Sequence, residues 1–271
     1  MRSLLFSVFL LFSTQSFAFP ASPVKVSFQS DVLKVAPGHE FHLAVKFSIP
    51  KPWHIYWKYP GEAGLPTAVK VSSDSDVILS SVLYPVPTEF IQPGKLTGYG
   101  YDKDVTLIIP ARAGDNLNPG SSINLKGSVS WLACSDICIP GSKKLSVNVP
   151  VAHESSYRSE LNISELLKNI PLNAKAAEEL VALEHKPETK NSGGRVFTEV
   201  SFNWSREVKA VRFYPLPEES FKVKKIRIKH LGTKTVVRAS WKQPQTNPLL
   251  KGGVIEATDP AGKKLAVEFE F

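Results

Sequence analysis

Sulfur is scarce in this 271-residue chain: its single methionine is Met1, and its only cysteines are Cys134 and Cys138. One methionine cannot form the thioether cluster that holds a cuprous ion. His39 and His42, three apart, would point to opposite faces of a strand, and the other histidines are dispersed. No dedicated metal site and no cofactor are therefore expected, and a soft cation would have only the two reduced cysteines to bind. No apolar run outside the N-terminus approaches the roughly 20 residues a membrane helix needs, so stable membrane insertion is not expected. Neither G-x-S-x-G nor H-E-x-x-H occurs, and the acidic residues are too scattered to nominate a catalytic pair, which argues against hydrolytic chemistry. The formal charge is +8, but the lysines stand singly or in pairs such as Lys143-Lys144 and Lys263-Lys264. No basic stretch is interleaved with aromatics as a nucleic-acid surface would require, so no nucleic-acid partner is expected.

What is present begins with an export signal. Arg2 precedes an apolar stretch from Leu4 to Phe12, and Ser16-Phe17-Ala18 puts small residues at the two positions a signal peptidase reads. Residues 1–18 are read as a cleaved signal peptide. The cleavage site lacks the cysteine of a lipoprotein, and the address is periplasmic for a Gram-negative source.

Beyond the signal, proline and glycine punctuate the chain about every ten residues, and apolar and polar residues alternate between them. Phe41, Leu43, Val45 and Phe47 form one such run; Leu145, Val147 and Val149 form another. Short half-buried strands at this spacing predict an antiparallel sandwich. Strands are expected near 24–30, 40–49, 54–57, 76–84, 103–109, 122–133 and 143–149, in a first domain over 19–152. From 155 to 185 the pattern turns helical: Leu161, Leu166, Leu167 and Ile170 share a face, Pro171 interrupts, and Asn173 can cap a second short helix through Leu180 and Leu183. Residues 153–194 are read as a helical connector ending in a polar linker from Lys186 to Gly194. Alternation resumes over 195–271 as a second, smaller sandwich without cysteine. The expected class is all-β: two immunoglobulin-like β-sandwiches joined by a short helical connector.

In Trp131-Leu132-Ala133-Cys134-Ser135-Asp136-Ile137-Cys138-Ile139-Pro140-Gly141 the cysteines fall at or beside a hairpin tip, and the spacing permits a disulfide. An oxidising compartment favours one. A structural staple and a redox pair are both open readings. A loop of about five residues stabilises by roughly 2 kcal/mol in the chain-entropy model, against about 4.7 for a hundred-residue loop, so this bridge adds little to a large domain. Short or exposed bridges are also the more readily reduced. Asp136 would disfavour a thiolate, while Lys143 and Lys144 would favour one only at a distance. Trp131 and Pro140 beside the pair read as a core aromatic and a strand-ending proline, or as recognition residues.

Four blocks then carry a resemblance: Trp53-His54-Ile55-Tyr56-Trp57-Lys58-Tyr59-Pro60-Gly61-Glu62-Ala63-Gly64-Leu65-Pro66-Thr67, Tyr84-Pro85-Val86-Pro87, Gly98-Tyr99-Gly100-Tyr101, and Trp131-Leu132-Ala133-Cys134 with Cys138-Ile139-Pro140-Gly141. In this order they resemble the N-terminal periplasmic domain of DsbD-like thiol:disulfide interchange proteins, closest to the ScsB branch. The resemblance implies an immunoglobulin-like domain with Cys134 and Cys138 as the catalytic redox pair. Its partners would be a thioredoxin-like or membrane-embedded thiol reductant and disulfide-bonded periplasmic proteins, in processes such as cytochrome c biogenesis or copper tolerance. Family members usually continue into a membrane domain and a thioredoxin-like domain. This chain reaches Phe271 with neither, so a separate protein is expected to supply the electrons. Shielding of a thiol pair needs a mobile cover, for which Gly61 to Pro66 offers turn chemistry, whereas Trp53, Ile55 and Trp57 read as core. The alternatives are a non-catalytic binding module with a structural disulfide, and a copper-related binding protein.

Overall fold

Each run of alternating residues becomes a strand, and the strands stack into two sandwiches. The computed structural model describes residues 21–192, 195–218, 221–241 and 250–271; the signal peptide expected at 1–18 lies outside the described residues. The first sandwich contains β1 (Lys25–Ser30), β2 (Val32–Lys34), β3 (Glu40–Ser48), β4 (His54–Gly61), β5 (Ala68–Ser73), β6 (Val77–Leu79), β7 (Thr88–Gln92), β8 (Leu96–Tyr101), β9 (Val105–Ala113), β10 (Ser122–Cys134) and β11 (Cys138–Pro150). One sheet runs β1-β3-β9-β6; the other runs β11-β10-β4-β8-β7, with β5 also paired to β10. Phe41, Leu43, Val45 and Phe47 of β3 are buried, as their spacing predicts, in one cluster with Ile123, Leu125 and Val129 of β10.

Four strands of the first sandwich, β2, β5, β7 and β8, were not expected from the sequence. The pattern of β5, β7 and β8 is short and irregular, and Gly98 and Gly100 dilute the apolar signal of β8. The turn Pro93-Gly94 between two short runs is the local sign of the β7–β8 hairpin.

The connector is less helical than its pattern suggests. β12 (Ser156–Tyr157) pairs with β2, and the single helix among the described residues, α1 (Ile163–Leu167), has five residues, with Asn162 Oδ1 accepting from the Glu165 N–H at 3.2 Å. After β13 (Leu172–Asn173), Asn173 does cap the following turn, accepting from Ala176 N–H at 2.8 Å, but no second helix forms over 174–180. The expected linker from Lys186 is instead the outer half of β14 (Val181–Ser192), which pairs with β15 (Arg195–Trp204). The pairing shifts register twice between Leu183 and Glu188, and β14 is an edge strand, which is where Pro187 and a polar composition are tolerated.

The second sandwich is completed by β16 (Lys209–Pro217), β17 (Val223–Leu231), β18 (Lys234–Trp241), β19 (Leu250–Thr258) and β20 (Lys264–Glu270). Its sheets run β13-β20-β19-β16 and β14-β15-β18-β17. Phe202, Val237, Ala239, Ile255 and Val267 are fully buried between them.

The two sandwiches meet through aromatic rings. Tyr214 of β16 packs edge-on against Trp57 of β4 and Tyr99 of β8, with centroids 6.3 and 5.7 Å apart. Its hydroxyl donates to the buried carboxylate of Glu256 at 3.1 Å. Tyr59 Oη accepts from the Val223 N–H at 3.1 Å, and Lys58 pairs with Glu268. Burial at this joint pushes the Tyr59 phenol up to about 12. Truncation of Tyr214 to alanine removes the central ring and one partner of Glu256. Chemical unfolding should show the Tyr214→Ala protein less stable by about 3 kcal/mol.

Candidate functional site

The β10–β11 pairing is unbroken from Ser122↔Pro150 to Cys134↔Cys138, so the strands run to the cysteines themselves. Ser135, Asp136 and Ile137 form the tip, closed by a Ser135 N–H donated to the Ile137 carbonyl at 2.9 Å. Cys134 and Cys138 form a disulfide with Cα atoms 4.1 Å apart. Both expected site residues thus come together at the hairpin tip. Their environments differ sharply. Cys134 is 2% exposed, whereas Cys138 is exposed together with Asp136 and Ile137.

The burial of Cys134 follows from its neighbours. β4 lies on the other side of β10 with Cys134 directly opposite His54. Side chains of such a pair share a face of the sheet, and Tyr56, two residues along, shares it too. Tyr56 Oη lies 3.5 Å from Cys134 Sγ and donates to Gln92 Oε1 at 2.8 Å. Phe90 of β7 covers this face, 4.5 Å from the His54 ring and 5.9 Å from that of Tyr56. Gly98, opposite Phe90 on β8, makes this possible, because a Cβ there would lie 2.6 Å from the Phe90 ring.

The β7–β8 hairpin therefore covers the Cys134 side of the tip, with Phe90 against His54 and Tyr56 and Gln92 bonded to Tyr56, and leaves Cys138 exposed. The Gly61 to Pro66 turn, expected from the sequence as a lid, packs Gly64 against the Tyr56 ring and bonds Glu62 to Thr97 of β8. Ile55 and Trp57 are fully buried and Trp53 partly so, as core residues. Trp131 is also core: it is 6% exposed, packs against Phe47, and lies over Gly141, where any Cβ would sit 2.2 Å from the indole. Pro140 does not end a strand but sits within β11, at the sheet edge where a missing N–H is tolerated.

The electrostatics are quiet. Lys143 points away from the tip, its ammonium donating to the Val26 carbonyl at 2.8 Å. Burial pushes the Tyr56 phenol up, so it stays a proton donor. Burial also lowers His54 below the ordinary imidazole value of 6.5, against the opposing pull of Asp102. Away from the site, His42 pairs with Asp31 at 2.9 Å and His39 lies 3.1 Å from Ser155 Oγ.

His54 and the Phe90 and Gln92 cover were not singled out from the sequence; the one available signal was His54 two residues before Tyr56 on a strand, on the same face. A pH dependence follows. The unfolded chain binds a proton at His54 at higher pH than the folded one, so stability falls as pH drops from about 6.5 toward the lower folded value. Denaturant midpoints across this window should fall less steeply for His54→Gln than for the unmutated protein.

Residues 22–150 match the family model described as thiol:disulfide interchange protein DsbD, N-terminal. No curated protein matches the chain in sequence. Among solved structures, the N-terminal periplasmic domain of ScsB from Proteus mirabilis is similar at 17% identity and a TM-score of 0.64, with 94% of this chain and 96% of that one covered. At that identity the likeness is one of fold, and it spans both sandwiches. BcpA, the major pilin subunit of Bacillus cereus, aligns over 91% of this chain and 66% of its own at 13% identity, with a TM-score of only 0.30. The E. coli chaperone DraB aligns over 91% and 99% at 10% identity and 0.23. With the cysteine pair at the tip of an immunoglobulin-like sandwich and the family match spanning that sandwich, residues 22–150 form a DsbD-like N-terminal domain of the thiol:disulfide interchange type.

Proposed function

We propose that this chain is a periplasmic thiol:disulfide relay in which Cys138 exchanges with partner proteins and Cys134 resolves the mixed disulfide. The observation that carries this reading is the asymmetry of the bridge: one cysteine is exposed at a hairpin tip, the other is buried beneath Tyr56 and Phe90. Exchange proceeds by attack of a thiolate on an accessible sulfur, and only Cys138 offers access. A separate thioredoxin-like or membrane-embedded thiol reductant attacks Cys138 and leaves the pair reduced. The reduced pair then passes two electrons to a disulfide-bonded periplasmic protein. The apolar N-terminal stretch from Leu4 to Phe12 and the small residues before Phe19 support export. Among the described residues no helix is long and apolar enough to cross a membrane.

A second reading, a binding module with a structural disulfide, draws on a cleft of about 990 Å3 between the sandwiches, lined by Ile91, Leu172, Arg212, Glu256 and Lys264 among others. Trapping separates the two. In the relay, Cys134→Ser leaves the exchanging thiol at Cys138 without its resolver and accumulates mixed disulfides in periplasmic extracts, while Cys138→Ser accumulates far fewer. Absence of mixed disulfides in both variants, with a bond that resists a thioredoxin-like reductant, leaves the binding module.

A further inference from the structure

His54 is placed where a resolving cysteine needs a base. It faces Cys134 directly across the β4–β10 pairing, and residues so paired have Cβ atoms about 4.5–5.5 Å apart. Its Nε2 is buried and has no hydrogen-bond partner among the described residues. Buried polar atoms are rarely left unpaired, since the lost hydration goes uncompensated. A disulfide sulfur has no proton to give this nitrogen, whereas a reduced Cys134 has one. A reduced Cys134, opposite on the same face of the sheet, would offer that atom a hydrogen-bond donor.

The surrounding groups leave the role to His54. On its own strand, Tyr56 keeps its proton and is a donor, 3.5 Å from Cys134 Sγ. On β7, Phe90 and Gln92 do not titrate. Asp102, just past β8, is an exposed carboxylate that favours a charged imidazole. Lys143 is engaged at Val26.

We infer that His54 is the proton acceptor for Cys134, making it the thiolate that resolves the mixed disulfide at Cys138; the inference rests on the relay reading above. In the step, the Cys134 thiol proton passes to His54 Nε2. The thiolate electron pair forms the Cys134–Cys138 bond as the bond from Cys138 to the substrate sulfur breaks. That sulfur leaves with the electron pair and takes up the proton from the imidazolium. The cysteine pair is oxidised by two electrons and the substrate disulfide is reduced by two. Tyr56 Oη donates to the transient thiolate.

The test uses chemically reduced protein and 5,5′-dithiobis(2-nitrobenzoate). Attack by Cys138 releases a first thionitrobenzoate, and resolution by Cys134 releases a second. His54→Gln should slow the second release relative to the first by about a hundredfold near neutrality, the scale of a lost general base, with the deficit shrinking in alkali as the thiol ionises unaided. An unchanged ratio and pH profile would overturn the inference. A second measurement avoids mutation of His54: reduction of the unmutated protein should move the His54 15Nε2 resonance to a hydrogen-bonded position, and the same treatment of Cys134→Ala should not. A resonance indifferent to reduction overturns it as well. Both readouts start from chemically reduced protein, so resistance of the bond to a thioredoxin-like reductant sinks the relay alone and leaves His54 to be judged separately.

Discussion

The register of β10 against β11 is the constraint from which the site follows. The two strands lie in different places in the sheet: β10 is flanked on both sides, by β11 and by β4 or β5, while β11 forms the edge. A pairing that ends with Cys134 opposite Cys138 therefore puts one sulfur in the sheet interior and the other at its rim. The difference in access between the two cysteines is set before the Tyr56 and Phe90 cover adds to it. It is a property of strand order, and it stays fixed as long as the hairpin keeps its register.

β4 links this site to the rest of the molecule. Its first residues, His54 and Tyr56, face Cys134 and the β7–β8 cover, while Trp57, Lys58 and Tyr59 reach Tyr214, Glu268 and Val223 of the second sandwich. Tyr99 on β8 joins the same aromatic contact from the strand that pairs with the cover. The second sandwich thus packs against the two strands that position the face above Cys134. A rigid scaffold of this kind holds a reactive group in place better than a free loop would.

Much of this was legible in the sequence. Strict alternation in Phe41 to Phe47 and in β10 gave strands and burial together, because a half-buried strand writes its two faces in period two. The cysteine spacing gave the hairpin tip, and the motif blocks gave the family. Where a residue's role depends on a neighbour distant in sequence, the pattern was silent. Phe90 is an ordinary aromatic until β7 folds against β8 and sets it over His54, and Gly98 is a break in alternation until its missing side chain admits that ring. The stretch from Lys186 was misread for a related reason: an edge strand with register shifts needs no apolar face to pair, so its polar, proline-containing sequence imitates a linker.

The edge position of β11 has one more consequence. An extended, unpaired strand edge beside an exposed sulfur would be a template for another chain, first by backbone pairing and then by covalent linkage. Pro140 and Pro150 lack amide donors, and Lys143 and Lys144 put charge on the same strand. These residues blunt edge-to-edge assembly along the strand that carries Cys138, so the exposed cysteine does not sit on an edge that seeds polymers of its own chain.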